Sequence, residues 1–340
     1  MVDLSSPPDT SASKDGASPP VIPDGAMAPA THSRCGWIGA GEVAGENAFL
    51  QHLDWFRAIH PKWFTLQSDG VNIRSVGHTD LASVVNAAGS HGVRLSPLID
   101  ADDGARIRLL INDPQRRAAH IQNLVTLVTS HSYDGLDIDY EHLWKAADRA
   151  PFVAFMSELS VALHAIGREL SMALPSVAKD DGNSAYDYNA LSAACDTLHV
   201  MGYDFHYLGG SHLGPLGPLG WVDQTFARAA ATGRGNRFIL GLANYAITSG
   251  SWTTARAAAQ ICGTGLLTQT DHMASCPYGD YSAGRAPHCA YAGSTLWFED
   301  LASMEAKIIA ALSHGARGVT YWTLGDEIDG FFPMVEKRVP

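Results

Sequence analysis

The stretch Asp134-Gly135-Leu136-Asp137-Ile138-Asp139-Tyr140-Glu141 decides how the rest of the chain is read. As a β-strand it sends alternate side chains to opposite faces. Asp137, Asp139 and Glu141 then share one face, and Leu136, Ile138 and Tyr140 the other. Neighbouring carboxylates repel one another and lose solvation, so at least one is expected to hold a proton near neutral pH. The apolar opposite face argues that the strand is buried and that the acids line an enclosed space. Perturbed carboxylates of that kind cluster at functional sites. Asp134, at the start of the strand, reads as structural.

On either side of this strand the chain alternates short apolar runs with amphipathic segments. Strands are expected at Gly36–Ala40, Trp63–Gln67, Val93–Ile99, Gly135–Glu141, Leu170–Pro175, Thr197–Asp204, Phe238–Ala243 and Gly318–Thr323. Helices are expected at Ala48–Ile59, Asp80–His91, Pro114–Ser130, Pro151–Ile166, Tyr188–Ala194, Val222–Thr232 and Ser303–Ser313, with a short closing helix around Phe332–Lys337. Eight strand–helix repeats with nearly continuous apolar strands point to an α/β fold, a TIM (β/α)8 barrel. An open doubly wound sheet is the alternative, but no GxGxxG follows the first strand; Gly39-Ala40-Gly41 is a weak signal. Residues 246–294 are too long for an ordinary connection and read as a small insertion after strand seven.

Active sites of such barrels lie at the C-terminal ends of the strands. That places Glu141 at the rim, Asp139 a layer below and Asp137 deeper again. The sixth strand ends in Met201-Gly202-Tyr203-Asp204, where Tyr203 shares a face with Met201 and His199. The eighth ends in Thr320-Tyr321-Trp322-Thr323, so Trp322 offers a flat apolar floor suited to a sugar ring. Tyr203 and Trp322 taken singly are as readily core residues; three strand ends meeting at one mouth favour a site. Trp144 either stacks on substrate or packs on its loop, the second being favoured, and Trp37, Trp55 and Trp63 read as core.

A formal charge of -12 over 340 residues argues against nucleic acid and anionic membrane surfaces. No apolar run approaches the ~20 residues that span a bilayer. Residues 1–33, rich in Ser, Pro and Ala, read as a disordered tail before a catalytic unit at 34–340. The tail lacks the charged start and apolar run of an export signal. Of five cysteines, Cys262, Cys276 and Cys289 fall in the insertion, which suggests a disulfide stapling it and supports a secreted or cell-surface protein. The cytoplasm is the alternative. The fifteen histidines give no metal-ligand spacing beside the acids, and His142 is expected to point away from the acid face. No metal or cofactor is expected, and the protein is expected to be a monomer.

The octapeptide resembles the DGxDxDxE signature of family 18 glycoside hydrolases, the chitinase-like group. Met201-Gly202-Tyr203-Asp204 is similar to that family's M-x-Y-D motif, and Trp322 stands where the family has its strand-eight tryptophan. Gly241-Leu242-Ala243-Asn244-Tyr245 and Leu296-Trp297-Phe298-Glu299-Asp300 resemble its strand-seven ending and the approach to its last helix. The stretch from Arg106 to Arg117 resembles the bacterial branch that includes spore cortex and cell-wall hydrolases. The resemblance runs in order from about Cys35 to the C-terminus. It implies substrate-assisted retaining hydrolysis next to N-acetylglucosamine in chitin, chitooligosaccharides or peptidoglycan. Glu141 would be the acid, Asp139 would orient the acetamido group, and Asp137 would share its proton. Tyr203 would hydrogen-bond the acetamido oxygen, with Asp204, Met201, Trp322 and Trp144 contacting sugar. A non-catalytic lectin of the same fold and an endo-β-N-acetylglucosaminidase acting on N-glycans are the alternatives. Lectins of this kind usually lose one of the acids, and all are present here.

Overall fold

The computed structural model describes residues 32–77, 81–180, 182–269 and 281–340. Eight parallel strands close into a barrel: β1 (Ser33–Ile38), β2 (Ala58–Leu66), β3 (Leu98–Ala101), β4 (Gly135–Tyr140), β5 (Glu169–Pro175), β6 (Thr197–Met201), β7 (Phe238–Ala243) and β8 (Gly318–Trp322). Each pairs with the next, and closure comes from β1, which pairs with β2 through Cys35↔Ala58 and with β8 through Ser33↔Gly318. Most side chains that alternate outward are apolar and meet the helices; Leu136, Ile138 and Tyr140 of β4 are all fully buried there. The inward set of β4 is the acid ladder.

The helix that leads into β4 shows how local signals position the acids. Asp113 caps Pro114–His131 by accepting from the backbone N–H groups of Gln115 (2.9 Å) and Arg116 (3.2 Å), and proline occupies the first turn, where its missing N–H costs nothing. The helix ends at Ser132, whose left-handed φ of 56° turns the chain back into β4.

Several expected bounds move. The first helix is Val43–Gln51 rather than Ala48–Ile59, because residues 58 and 59 are drawn into the pairing with β1. Pro97 supplies no N–H and divides the expected strand at 93–99 into Arg94–Leu95 and β3. The helix Gly104–Ile111, capped by Asp103, and the short strand Ile73–Ser75 were not anticipated. Ser33, placed within the tail, is already strand; residues 1–31 lie outside the described residues.

After β7 comes a five-stranded antiparallel sheet, in the order Trp252–Thr254, Tyr245–Ile247, Ser294–Trp297, Ala286–Tyr291, Leu267–Gln269. A disulfide from Cys262 to Cys289 ties the helix Ala255–Cys262 to this sheet. Cys276 lies outside the described residues. Ile247 and Trp297 of the sheet pack with Trp37, Leu98 and Tyr203 of the barrel interior, so the insertion is continuous with the upper core.

Candidate active site

Asp137, the deepest acid, is fully buried on β4. Trp37 Nε1 donates to its Oδ2 (2.8 Å), and Ser171 Oγ donates to its Oδ1 (2.7 Å). His199 Nδ1 lies 3.2 Å from Oδ1 and His60 Nδ1 3.9 Å from Oδ2. Burial pushes this carboxyl up, but the two imidazoles and the donated hydrogen bonds outweigh it and hold the pKa at about 2. Asp137 is therefore an anion, and the proton expected on the ladder belongs to the acids above it.

Asp139 stands one layer up. Burial, then the charge of Glu141, pushes its carboxyl well above the usual range, with Asp137 and Asp100 adding to the shift and Lys62 opposing it. Its Oδ1 is buried and makes no hydrogen bond. Glu141 follows immediately after β4, anchored by its backbone N–H to Ala101 O (2.9 Å). Burial raises its pKa as well, aided by Asp204 and Asp100 and opposed by His142 and Lys62.

Lys62 comes from β2, where the pairing with β3 shifts register between Lys62 and Phe64. Lys62 stands two residues after His60, so strand alternation turns both into the barrel, His60 beneath Asp137 and Lys62 at the cleft. Its Nζ lies 2.9 Å from Asp100 Oδ2 and 5.9 Å from the centre of the Trp322 ring. The sequence reading missed Lys62 and Asp100. The signal was a single lysine in the apolar run 58–66, just before the expected start of that strand.

Asp139, Glu141, Met201, Tyr203, Asp204, Trp144 and Trp322 line one cleft of about 740 Å³ at the C-terminal mouth of the barrel. Asp137 does not reach it and lies beneath. Burial, then the charges of Asp204, Asp139 and Glu141, pushes the Tyr203 phenol up, so its hydroxyl keeps its proton. Tyr203 meets Tyr245 edge-on, with ring centres 5.9 Å apart, and Tyr245 donates its hydroxyl proton to Asp204. Tyr245, like Trp252, comes from the inserted sheet and was not anticipated as a site residue. Trp144 is half exposed and meets Tyr186 of the segment after β5 in a T-shaped contact, while lining the cleft.

His142 departs from expectation. Strand alternation would turn it away from the acids, but its φ of 61° breaks the extended conformation and it lines the cleft. Asp204 has the same left-handed φ of 61° at the end of the sixth strand's motif. Two non-glycine residues in this region at one cleft mark backbone held against its preference. Trp37, read as core, is buried as expected but also donates to Asp137.

The model of the family described as glycosyl hydrolases family 18 matches residues 93–327. A Bacillus subtilis glycosylase described as sporulation-specific is 26% identical over 231 residues, covering 64% of this chain and 53% of its own length. The cortical fragment-lytic enzyme of the same organism is 28% identical over 233 residues, covering 64% and 52%. This chain thus spans about half the length of each of these relatives. A class V chitinase from Pseudomonas fluorescens superposes with a TM-score of 0.79 at 22% identity, over 91% of this chain and 100% of that one.

Proposed function

Because the chain belongs to the family 18 glycosyl hydrolases and is a chitinase-like glycosidase, we propose that it cleaves β-1,4 linkages next to N-acetylglucosamine with retention, using the substrate's own acetamido group as nucleophile. The observation that carries this reading is Asp139 Oδ1, a buried acceptor with no partner, beside an acid of raised pKa. An acetamido N–H donating to Oδ1 would satisfy it and turn the acetamido oxygen toward the anomeric carbon.

Glu141 gives its proton to the glycosidic oxygen as the bond to the anomeric carbon breaks. The acetamido oxygen bonds to that carbon, forming an oxazolinium cation. Asp139 faces the cation, and its proton is drawn toward Asp137, so negative charge grows where positive charge appears. Tyr203 donates its hydroxyl proton to the acetamido oxygen. Water then attacks the anomeric carbon, breaking its bond to the acetamido oxygen and so restoring the acetamido group, and gives a proton to Glu141. No opposing carboxylate is required.

Peptidoglycan is proposed ahead of chitin, on the sporulation and cortex descriptions of two relatives. The Cys262–Cys289 disulfide supports action outside the cytoplasm. The test is a panel of chitin oligomers, peptidoglycan and high-mannose glycopeptide offered to wild type and to Glu141→Gln. The variant is expected to keep oligomer binding and lose turnover by ~10²–10⁴-fold, the range of a positioned general acid. Tight binding with no turnover by the wild type would identify a lectin instead, and cleavage confined to the glycopeptide an endo-acting enzyme on N-glycans.

A further inference from the structure

Below Asp137, on the side of the barrel away from the cleft, three side chains with metal-binding atoms meet. They are Cys35 of β1, His60 of β2 and His199 of β6, all buried, and one ligand atom of each lies within 4.8 Å of the others. Among the described residues this is the one group of three that meets that condition. We infer that Cys35, His60 and His199 bind one thiophilic metal ion, Zn(II) or Cu(I), at the floor of the barrel.

The geometry already fixes the imidazoles for this task. His60 Nδ1 lies 3.2 Å from the backbone carbonyl of Ser96. A carbonyl only accepts, so the proton sits on Nδ1 and Nε2 carries the lone pair. Nε2 is buried with no partner beyond the weak one offered by the Cys35 sulfur, a costly arrangement for a polar atom unless something stronger ligates it. His199 Nδ1 is engaged by Asp137 Oδ1 at 3.2 Å, so its Nε2 turns toward Cys35 and becomes a ligand once its proton is displaced. A backbone carbonyl on one ring and a carboxylate on the other are the outer partners that orient metal-bound histidines. The rings are 4.4 Å apart at a tilt of 56°, so their planes converge rather than stack.

Beside the three residues lies a cavity of about 10 Å³, bordered also by Arg94, Glu169 and Arg317. That is room for about one water, the fourth ligand of a tetrahedral site. Arg317 counts against a cation, whereas the Cys35 thiolate and Asp137 count for one. With these three charges a monovalent ion leaves the cluster neutral, and a divalent ion leaves one positive charge. Thiolate and imidazole together select zinc or cuprous copper over hard cations. Binding displaces the proton held between Cys35 Sγ and His199 Nε2, which leaves to solvent. The ligands come from three separate strands, so no spacing along the chain discloses them.

The test uses the full chain carrying Cys276→Ser, so that the cysteine outside the described residues contributes nothing. Chelator-stripped protein is loaded with Zn(II) or, under reducing anaerobic conditions, Cu(I), passed through gel filtration, and analysed for metal. Retention of one ion per chain is expected, and the ion that survives competition by a chromophoric chelator identifies the metal. Co(II) should give a thiolate charge-transfer band that disappears in Cys35→Ser. His60→Gln keeps the thiol and should weaken binding by at least the ~10-fold that even an outer-partner change costs. It serves as the second variant if Cys35→Ser does not fold by circular dichroism. Retention well below one ion per chain for both metals, or binding and band unchanged in the folded variants, overturns the inference.

Discussion

At the scale of single residues, the arrangement turns on Asp139. Its pKa is raised by burial and by Glu141, so the folded state holds that proton more tightly than the unfolded chain does. The sign follows from linkage: stability falls as pH rises from the ordinary aspartate range through the raised folded value, and is flat beyond it. Asp139→Asn removes this penalty. We expect the variant to be inactive by ~10² or more, as for loss of a group facing transition-state charge, yet to melt a few degrees higher than wild type at pH 7. That gap should close toward pH 4; thermal melts at both pH values check it. A variant that keeps near-normal turnover would remove the substrate-assisted reading. The wild-type pH profile of kcat/KM should be a bell reporting the coupled ladder, with both limbs on the neutral side of an ordinary carboxylate, because Glu141 and Asp139 are both shifted upward.

At the scale of elements, strands carry the site. Two residues beyond His60 on β2, Lys62 faces Asp139 and Glu141, where its charge opposes the rise of both pKa values. Lys62→Met should therefore raise the Glu141 pKa and move the basic limb of the profile to higher pH, by up to ~1 unit for a charge at this range. An unmoved limb would mean Lys62 serves Asp100 alone. Alternation along β4 was legible because period-two patterning survives burial: Asp137, Asp139 and Glu141 could be placed on one face from sequence. Tyr203 and Trp322 were legible as strand ends. Lys62, His142 and Tyr245 were not: Lys62 lies before the expected start of its strand, a left-handed residue places His142, and an inserted sheet places Tyr245. The sheet has its own staple. Cys262 and Cys289 close a loop across a sequence separation of 27, which stabilises by roughly 3–4 kcal/mol on chain entropy. Cys289→Ser should lower the melting temperature and, since Tyr245 and Trp252 share that sheet, reduce kcat/KM on long oligomers more than on short ones.

At the scale of the whole molecule, the cleft exists only because the barrel closes, and closure joins the two ends of the described chain. β1 lies between β2 and β8, and Arg34 of β1 reaches the carbonyls of Trp55 (2.8 Å) and Val339 (3.4 Å). The helix Phe331–Arg338 covers this seam. Phe331 is fully buried, with its ring centre 4.6 Å from that of Tyr321 on β8 and 6.4 Å from that of Trp55 before β2. Lys62 on β2 and Trp322 on β8 flank the same seam at the cleft, so loosening it separates a charge and a platform that face one substrate. Phe331→Ala leaves a cavity there and should cost about 3–5 kcal/mol. Barrel strands cannot open singly without exposing their neighbours' backbone groups, so the loss should appear as one cooperative transition. Heating the variant while following tryptophan fluorescence, far-ultraviolet circular dichroism and residual glycosidase activity should give coincident curves, shifted down together. Activity lost well before the circular dichroism signal would mean instead that the seam opens locally, and that the acid ladder stands on a barrel able to come apart at β1 and β8 while the remaining strands hold.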